Sequence, residues 1–149
     1  MIRQFCSGDA DSCSCLIREC IQADSFYPAA LKDAVCQMET PESVAERARL
    51  FYLAVYESEG QILGLAGLDL NEVRLLCVSP AHRRRGIGRA LMEHIKTMTP
   101  ALAFADIFVY SAKSAVDFYR ACGFIERGPF TFTVLGQALQ TVFMTLLLR

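Results

Sequence analysis

The sequence lacks any long hydrophobic run: its apolar residues fall in stretches of four to six, far short of the roughly twenty that a membrane-spanning helix needs. Its opening, MIRQFCSGDADSC, has no apolar core of a signal peptide, so a cytoplasmic protein in a reducing compartment is expected, with no membrane partner. The seven cysteines contain no Cys-x-x-Cys pair and only two histidines are present, so neither a zinc site nor a disulfide framework is expected and no metal is assigned. Most of the cysteines read as small buried apolar residues. A Gly-Lys-Ser/Thr phosphate loop is missing, as are repeats, low-complexity tracts and linkers. What remains is a chain of 149 residues, 53% apolar, long enough to bury roughly 70% of its unfolded surface as one domain spanning 1–149.

Net charge is almost lacking too, at −1, but the total hides an asymmetry. Residues 1–81 carry six basic against twelve acidic side chains, and residues 82–149 carry nine against four. Four of those nine, Arg83, Arg84, Arg85 and Arg89, fall within seven residues. Such a knot calls for an anionic partner or a solvated face.

Periodicity predicts a strand over 2–6 and a helix carrying Ala10, Cys13, Leu16, Ile17, Cys20 and Ile21, with Ser7 to Asp9 offering a cap. A short helix over 29–38 follows, then Thr40-Pro41-Glu42 as N-cap and first turn of a helix to about residue 49. Strands are expected over 51–57 and 61–70, joined by Ser58-Glu59-Gly60, and over 71–78. A helix over 85–98, a central strand over 104–110, a helix over 111–121 closed by Gly123, and strands over 124–135 and 138–148 complete the chain. The expected fold is α/β, a mixed sheet of about seven strands flanked by helices in the order β-α-α-β-β-β-α-β-α-β-β. The apolar last strand would lie inside the sheet or pair with another subunit, leaving monomer and homodimer both open.

The strongest local signal runs from Val78 to Leu91, VSPAHRRRGIGRAL. A buried strand ends, a loop follows, and a helix opens on Gly86 and Gly88. Glycines let a ligand approach the backbone, and the unpaired amides of a first helical turn, the helix dipole and the arginines favour an anion such as a pyrophosphate. A dinucleotide fingerprint fits poorly, since the third Gly or Ala and a following acidic strand end are missing. A nucleic-acid patch is not expected either, because no aromatic residue interleaves with the arginines and the whole chain is slightly acidic.

Val-x-Pro-x-x-Arg-x-x-Gly-Ile-Gly-x-x-Leu, from Val78 to Leu91, resembles the acyl-CoA-binding signature R/Q-x-x-G-x-G/A of GNAT-type N-acetyltransferases, with Arg83, Gly86 and Gly88 at its fixed positions. Ala115 to Phe124, AVDFYRACGF, is similar to the family segment A-x-x-F/L-Y-x-x-x-G-F. The resemblance implies the GNAT fold, with acetyl-CoA as cosubstrate lying between two splayed parallel strands. It implies that Leu76, Cys77 and Val78 pair with the pantetheine arm, while the loop from Arg84 through Arg85, Gly86, Ile87 and Gly88 to Arg89 cradles the pyrophosphate. Tyr119 would sit beside the thioester sulfur as cofactor contact and catalytic acid. Glu72 would be the base acting through water, with Asp69 and Asp106 as weaker alternatives, and a backbone N–H such as that of Val78 would receive the developing oxyanion.

Two positions depart from the family pattern. Ala112 stands where relatives often carry an Asn contacting the cofactor, and Phe108 stands where relatives that acetylate ribosomal N-termini tend to carry Glu. The implied activity is acetyl transfer to a primary amine of a small molecule or protein, because such an amine, with a pKa of about 10.4, must lose a proton before attacking. A non-catalytic acyl-CoA-binding regulatory module is the alternative. The acceptor pocket is expected between the N-terminal helices and the final two strands.

Overall fold

The computed structural model describes residues 1–148; Arg149, counted above in the positive half, lies outside the described residues. Seven strands form one sheet: β1 (Ile2–Gln4), β2 (Tyr52–Ser58), β3 (Gln61–Asp69), β4 (Glu72–Val78), β5 (Asp106–Ala112), β6 (Ile125–Val134) and β7 (Gln137–Leu147). Their spatial order is β1-β2-β3-β4-β5-β7-β6. Every neighbouring pair is antiparallel except β4 and β5. The expected mixed α/β sheet is therefore present, and β7 lies inside it.

Among the described residues, five α-helices accompany the sheet: α1 (Ala10–Ala23), α2 (Ala29–Met38), α3 (Pro41–Leu50), α4 (Ile87–Met98) and α5 (Val116–Ala121). Three helices precede β2, matching the three segments expected from periodicity and caps, although the expected order of elements has two there. Pro28 stands just before α2, and Thr40 with Pro41 starts α3, so each proline begins a new helix. The α3 cap is as expected, Ser43 N donating to Thr40 Oγ1 at 3.1 Å.

The expected helix over 111–121 is shorter because Ser111 and Ala112 are recruited into β5 by pairing with Val142 and Thr141 of β7. A single 3₁₀ turn, Lys113–Ala115, then leads into α5. Gly123 adopts φ +100° just past α5, the left-handed geometry expected of it. The 58–60 hairpin closes through Glu59 and Gly60, both at positive φ, between the paired Ser58 and Gln61.

The two faces of the sheet are covered differently. On one, Leu91, Met92 and Ile95 of α4 pack with Tyr119 of α5 against Val73, Ile107, Val109 and Met144. On the other, Cys13, Leu16 and Ile17 of α1 and Val44 of α3 pack on Leu53, Val55 and Leu65. That second set covers only the β2–β4 half of its face.

Candidate active site

The parallel pairing of β4 with β5 extends over two positions only, Glu72 opposite Phe108 and Val73 opposite Val109. Beyond Val73 the strands part, and the rest of β4 is paired on one side alone, with β3. Ser79 N donates to Leu63 O at 2.8 Å. Bonded and non-bonded partners alternate along an antiparallel ladder, so Cys77 exchanges bonds with β3 while the backbone groups of Leu76 and Val78 point into the opening. The expected splay is thus built by the register, and Cys77 is the residue of the 76–78 trio that turns its backbone away from it.

The opening runs toward the N-terminus of α4. Gly86 caps that helix at φ +83°, with no side-chain hydrogen bond to its first amides, and a Cβ added there would meet nothing within 4 Å. Arg84 also has positive φ, at 62°. The loop from Arg83 to Gly86 is exposed, as is Arg89. Uncapped amides in an accessible turn with arginines on either side make a cradle able to hold an anion.

Gly88 has a second use. A Cβ there would lie 2.9 Å from Cε1 of Phe118, so its missing side chain lets α4 press against α5. Ile87 is buried in the core. Arg83 Nε donates to Val78 O at 3.4 Å, and Arg89 Nη2 donates to Ala121 O at 3.3 Å.

Tyr119 projects from α5 and is 5% exposed, between the rings of Phe118 and Phe124 at 5.2 Å each. Burial, and then the nearby Cys77 and Cys122 thiols, push its phenol well above the ordinary range, so it remains a proton donor throughout the physiological range. Glu72 stands at the start of β4. Its pairing with Phe108 sets both side chains on the face that α1 partly covers, because partners in register share a face. Burial raises its carboxyl, and Asp69 adds to this, against a lowering by Arg74, whose guanidinium is 3.7 Å away. Asp69 is itself 3.4 Å from Arg74, and Asp106 accepts from Asn71 Nδ2 at 3.3 Å.

Several site features escape the sequence reading. Cys20 of α1 donates its thiol to Val78 O at 3.3 Å, placing a cysteine at the lip of the opening. Its pKa is lowered, first by a hydrogen bond with Cys77 and then by Arg83. Only Cys13 and Cys36 are buried outright, whereas Cys6 and Cys15 are exposed, because the first flanks a surface turn and the second lies on the outer side of α1. Ser114 Oγ donates to Asp24 Oδ2 at 2.9 Å, joining the end of α1 to the turn after β5. Ser111 Oγ donates to Ala112 O at 2.7 Å. A cluster of rings, Phe108, Tyr110, Phe130, Phe132 and Phe143, starts at Phe108, the strand partner of Glu72, and extends away along β5, β7 and β6; its trace in the sequence is the two-residue spacing of 108 with 110 and of 130 with 132.

The acetyltransferase (GNAT) domain model matches residues 22–135, which is most of the chain and contains both the splay and the cradle. The protein belongs to the GNAT acetyltransferase family. Among curated relatives, an uncharacterized N-acetyltransferase of Chlorobaculum tepidum is 30% identical over 90 residues, covering 57% of this chain and 56% of the relative. The peptidyl-lysine N-acetyltransferase YiaC of Escherichia coli is 38% identical over 74 residues, 47% of each. The chain therefore aligns with about half the length of these relatives.

Solved structures show the same fold. A GCN5-related N-acetyltransferase from Rhodopseudomonas palustris superposes with a TM-score of 0.91 at 18% identity, over 99% of this chain and 94% of that one. YncA, a putative acetyltransferase from Salmonella typhimurium determined with its cofactor acetyl-CoA, gives 0.70 at 17% identity, over 100% and 94%. The GNAT architecture expected from the two motifs is the one observed.

Proposed function

We propose that this GNAT chain is an acetyl-CoA-dependent N-acetyltransferase acting on a primary amine of a small molecule or protein. The observation that carries the reading is the opening between β4 and β5, with the backbone of Leu76 and Val78 turned into it, ending at the uncapped N-terminus of α4. Backbone groups along the opening that have no β5 partner match the amides of a pantetheine arm, although Val78 O already accepts from Cys20 and Arg83, and the 84–89 loop matches a pyrophosphate. The acetyl-CoA complex of YncA supports the same cosubstrate.

In this reading Leu76 and Val78 hold the arm, with Cys77 as the strand residue between them. Arg83, Arg84, Arg85, Gly86, Ile87, Gly88 and Arg89 form the phosphate end. Acetyl-CoA, when bound, supplies the activated acetyl group. Glu72 receives a proton from the ammonium of the acceptor through water, and the freed nitrogen can then form its bond to the acetyl carbon. Tyr119 would donate its hydroxyl proton to the sulfur as the carbon–sulfur bond breaks, and the second proton lost from the nitrogen as the amide forms would restore the phenol through solvent. A carboxyl raised by burial suits the first role and a phenol held protonated suits the second.

Calorimetric titration with acetyl-CoA, followed by thiol release in the presence of primary amines, tests the reading. Saturable binding with amine-dependent release is expected. Release of thiol unaffected by any amine, with binding intact, would instead identify a non-catalytic acyl-CoA-binding module. No binding would remove the cosubstrate.

A further inference from the structure

We propose that the acceptor is a primary amine bearing an aryl group, seated with its ring on the aromatic half-face of β5, β7 and β6. The proposal rests on the acetyl-transfer reading above and adds the chemical class of the acceptor.

The register sets five rings on one face. Tyr110 pairs with Phe143 across β5 and β7, and Phe130 pairs with Thr141 across β6 and β7. Tyr110 is central, with centroid distances of 4.9 Å to Phe130, 5.2 Å to Phe132, 5.2 Å to Phe143 and 5.9 Å to Phe108. Unlike the β2–β4 half of this face, the cluster is only partly covered: Phe130 and Phe132 are 43% and 37% exposed, while Phe108, Tyr110 and Phe143 are half-buried. Adjacent rings left in water on a strand with threonines at 131 and 133 call for an apolar occupant.

Size and charge favour a small aromatic amine. A cavity of about 140 Å³ opens at the Tyr110 end of this face, where Tyr110 is the ring of the cluster that lines it, together with Asp24, Phe26, Tyr27, Lys113 and Leu139. That volume is of the order that admits a single benzene ring. Asp24 is fixed by Phe26 N at 3.0 Å and by Ser114 Oγ, and Lys113 on the same rim donates to Gln140 Oε1 at 2.6 Å.

Glu72 lies beside Phe108 at the start of the splay. Tyr110 lies two positions along β5 from Phe108, a rise of about 7 Å, so an ammonium near Glu72 and a ring over Tyr110 fit a short alkyl spacer. A polyamine or lysine-rich segment would need a row of carboxylates, and this face offers Asp24 and Glu72.

The test compares 2-phenylethylamine, n-butylamine, spermidine and a lysine peptide as acceptors at saturating acetyl-CoA. The expected kcat/KM for 2-phenylethylamine exceeds that for n-butylamine by about tenfold or more. The double variant Phe130→Ala/Phe132→Ala should bring the ratio near one while the acetyl-CoA Kd stays unchanged. Equal rates, or preference for spermidine or the peptide, would overturn the proposal while leaving acetyl transfer intact.

Chemical-shift titration of the protein with 2-phenylethylamine alone tests the face independently of turnover. Shifts confined to the Tyr110 cluster support it, and their absence overturns it. Concentration-dependent dimerisation abolished by the same double variant would assign the face to a second copy and also overturn it. Failure of acetyl-CoA to bind would sink the transfer reading separately.

Discussion

Gly88 and Phe118 are in direct apposition: the position of a Cβ on Gly88 lies 2.9 Å from Cε1 and 3.2 Å from Cζ of the Phe118 ring. The two residues belong to the two sequence motifs, one at the start of α4 and one on α5. Their contact sets the position of α5, and therefore of the adjoining Tyr119, relative to the α4 cradle.

The two glycines of the cradle should respond differently to substitution. Gly88→Val forces a side chain into the Phe118 ring, and overpacking of this kind costs about 1–3 kcal/mol. Lower stability in urea melts is expected. At Gly86 a Cβ meets nothing, but φ is +83°, so Gly86→Val disturbs the turn rather than the core. Calorimetry should show acetyl-CoA binding abolished in Gly86→Val; binding retained at full affinity would remove the turn from the cosubstrate site.

Tyr119→Phe keeps the ring and its packing while removing the proton. The expected result is a kcat lower by about a hundredfold or more, with the acetyl-CoA Kd little changed. Because burial raises the phenol's pKa, the unsubstituted protein should show no alkaline loss of the proposed activity attributable to Tyr119 near neutrality. An unaltered kcat in the variant would take Tyr119 out of the chemistry.

Glu72 must be ionised to accept a proton, and burial raises its pKa. The acid limb of the kcat/KM profile should therefore be displaced upward from that of an unburied glutamate. Glu72→Gln should depress kcat and erase that limb. A variant profile superimposable on the parent would transfer the base role elsewhere.

Asp9 accepts Arg3 Nη1 at 2.8 Å and Nη2 at 2.9 Å, and the Cys6 amide at 2.9 Å. These bonds, the arginine's first, lower its pKa from 3.8 to about 2. A depressed folded-state pKa contributes stability that is full above the unfolded value and disappears as pH falls through about 2. Asp9→Asn should thus be less stable than the parent at pH 7, with the gap closing toward pH 2. A gap independent of pH in denaturant melts would show that the ion pair is not its origin.

Much of the fold can be read locally because its signals are local. Thr40-Pro41, Glu59-Gly60 and Gly123 specify a cap, a tight turn and a helix end through their own backbone preferences. Strand ends are set by pairing instead: residues 111–112 carry no strong signal of their own and become strand because Val142 and Thr141 are available to pair with them. The N-terminal stretch likewise divides into three helices where prolines and caps interrupt it, a local effect that the overall order of elements conceals.

The sequence by itself determined the cradle and its partner motif, since a glycine turn, a run of arginines and the 115–124 segment are contiguous and their chemistry depends on neighbours in the chain. Tertiary structure alone decided that β4 and β5 share only two pairs before parting, that the Leu76 and Val78 backbones face the gap, and that Cys20 reaches the Val78 carbonyl. It also gathered rings from three strands around Tyr110. The physical reason is that hydrogen-bond register and strand order fix which distant residues share a face, and neither is encoded in the spacing of any one segment.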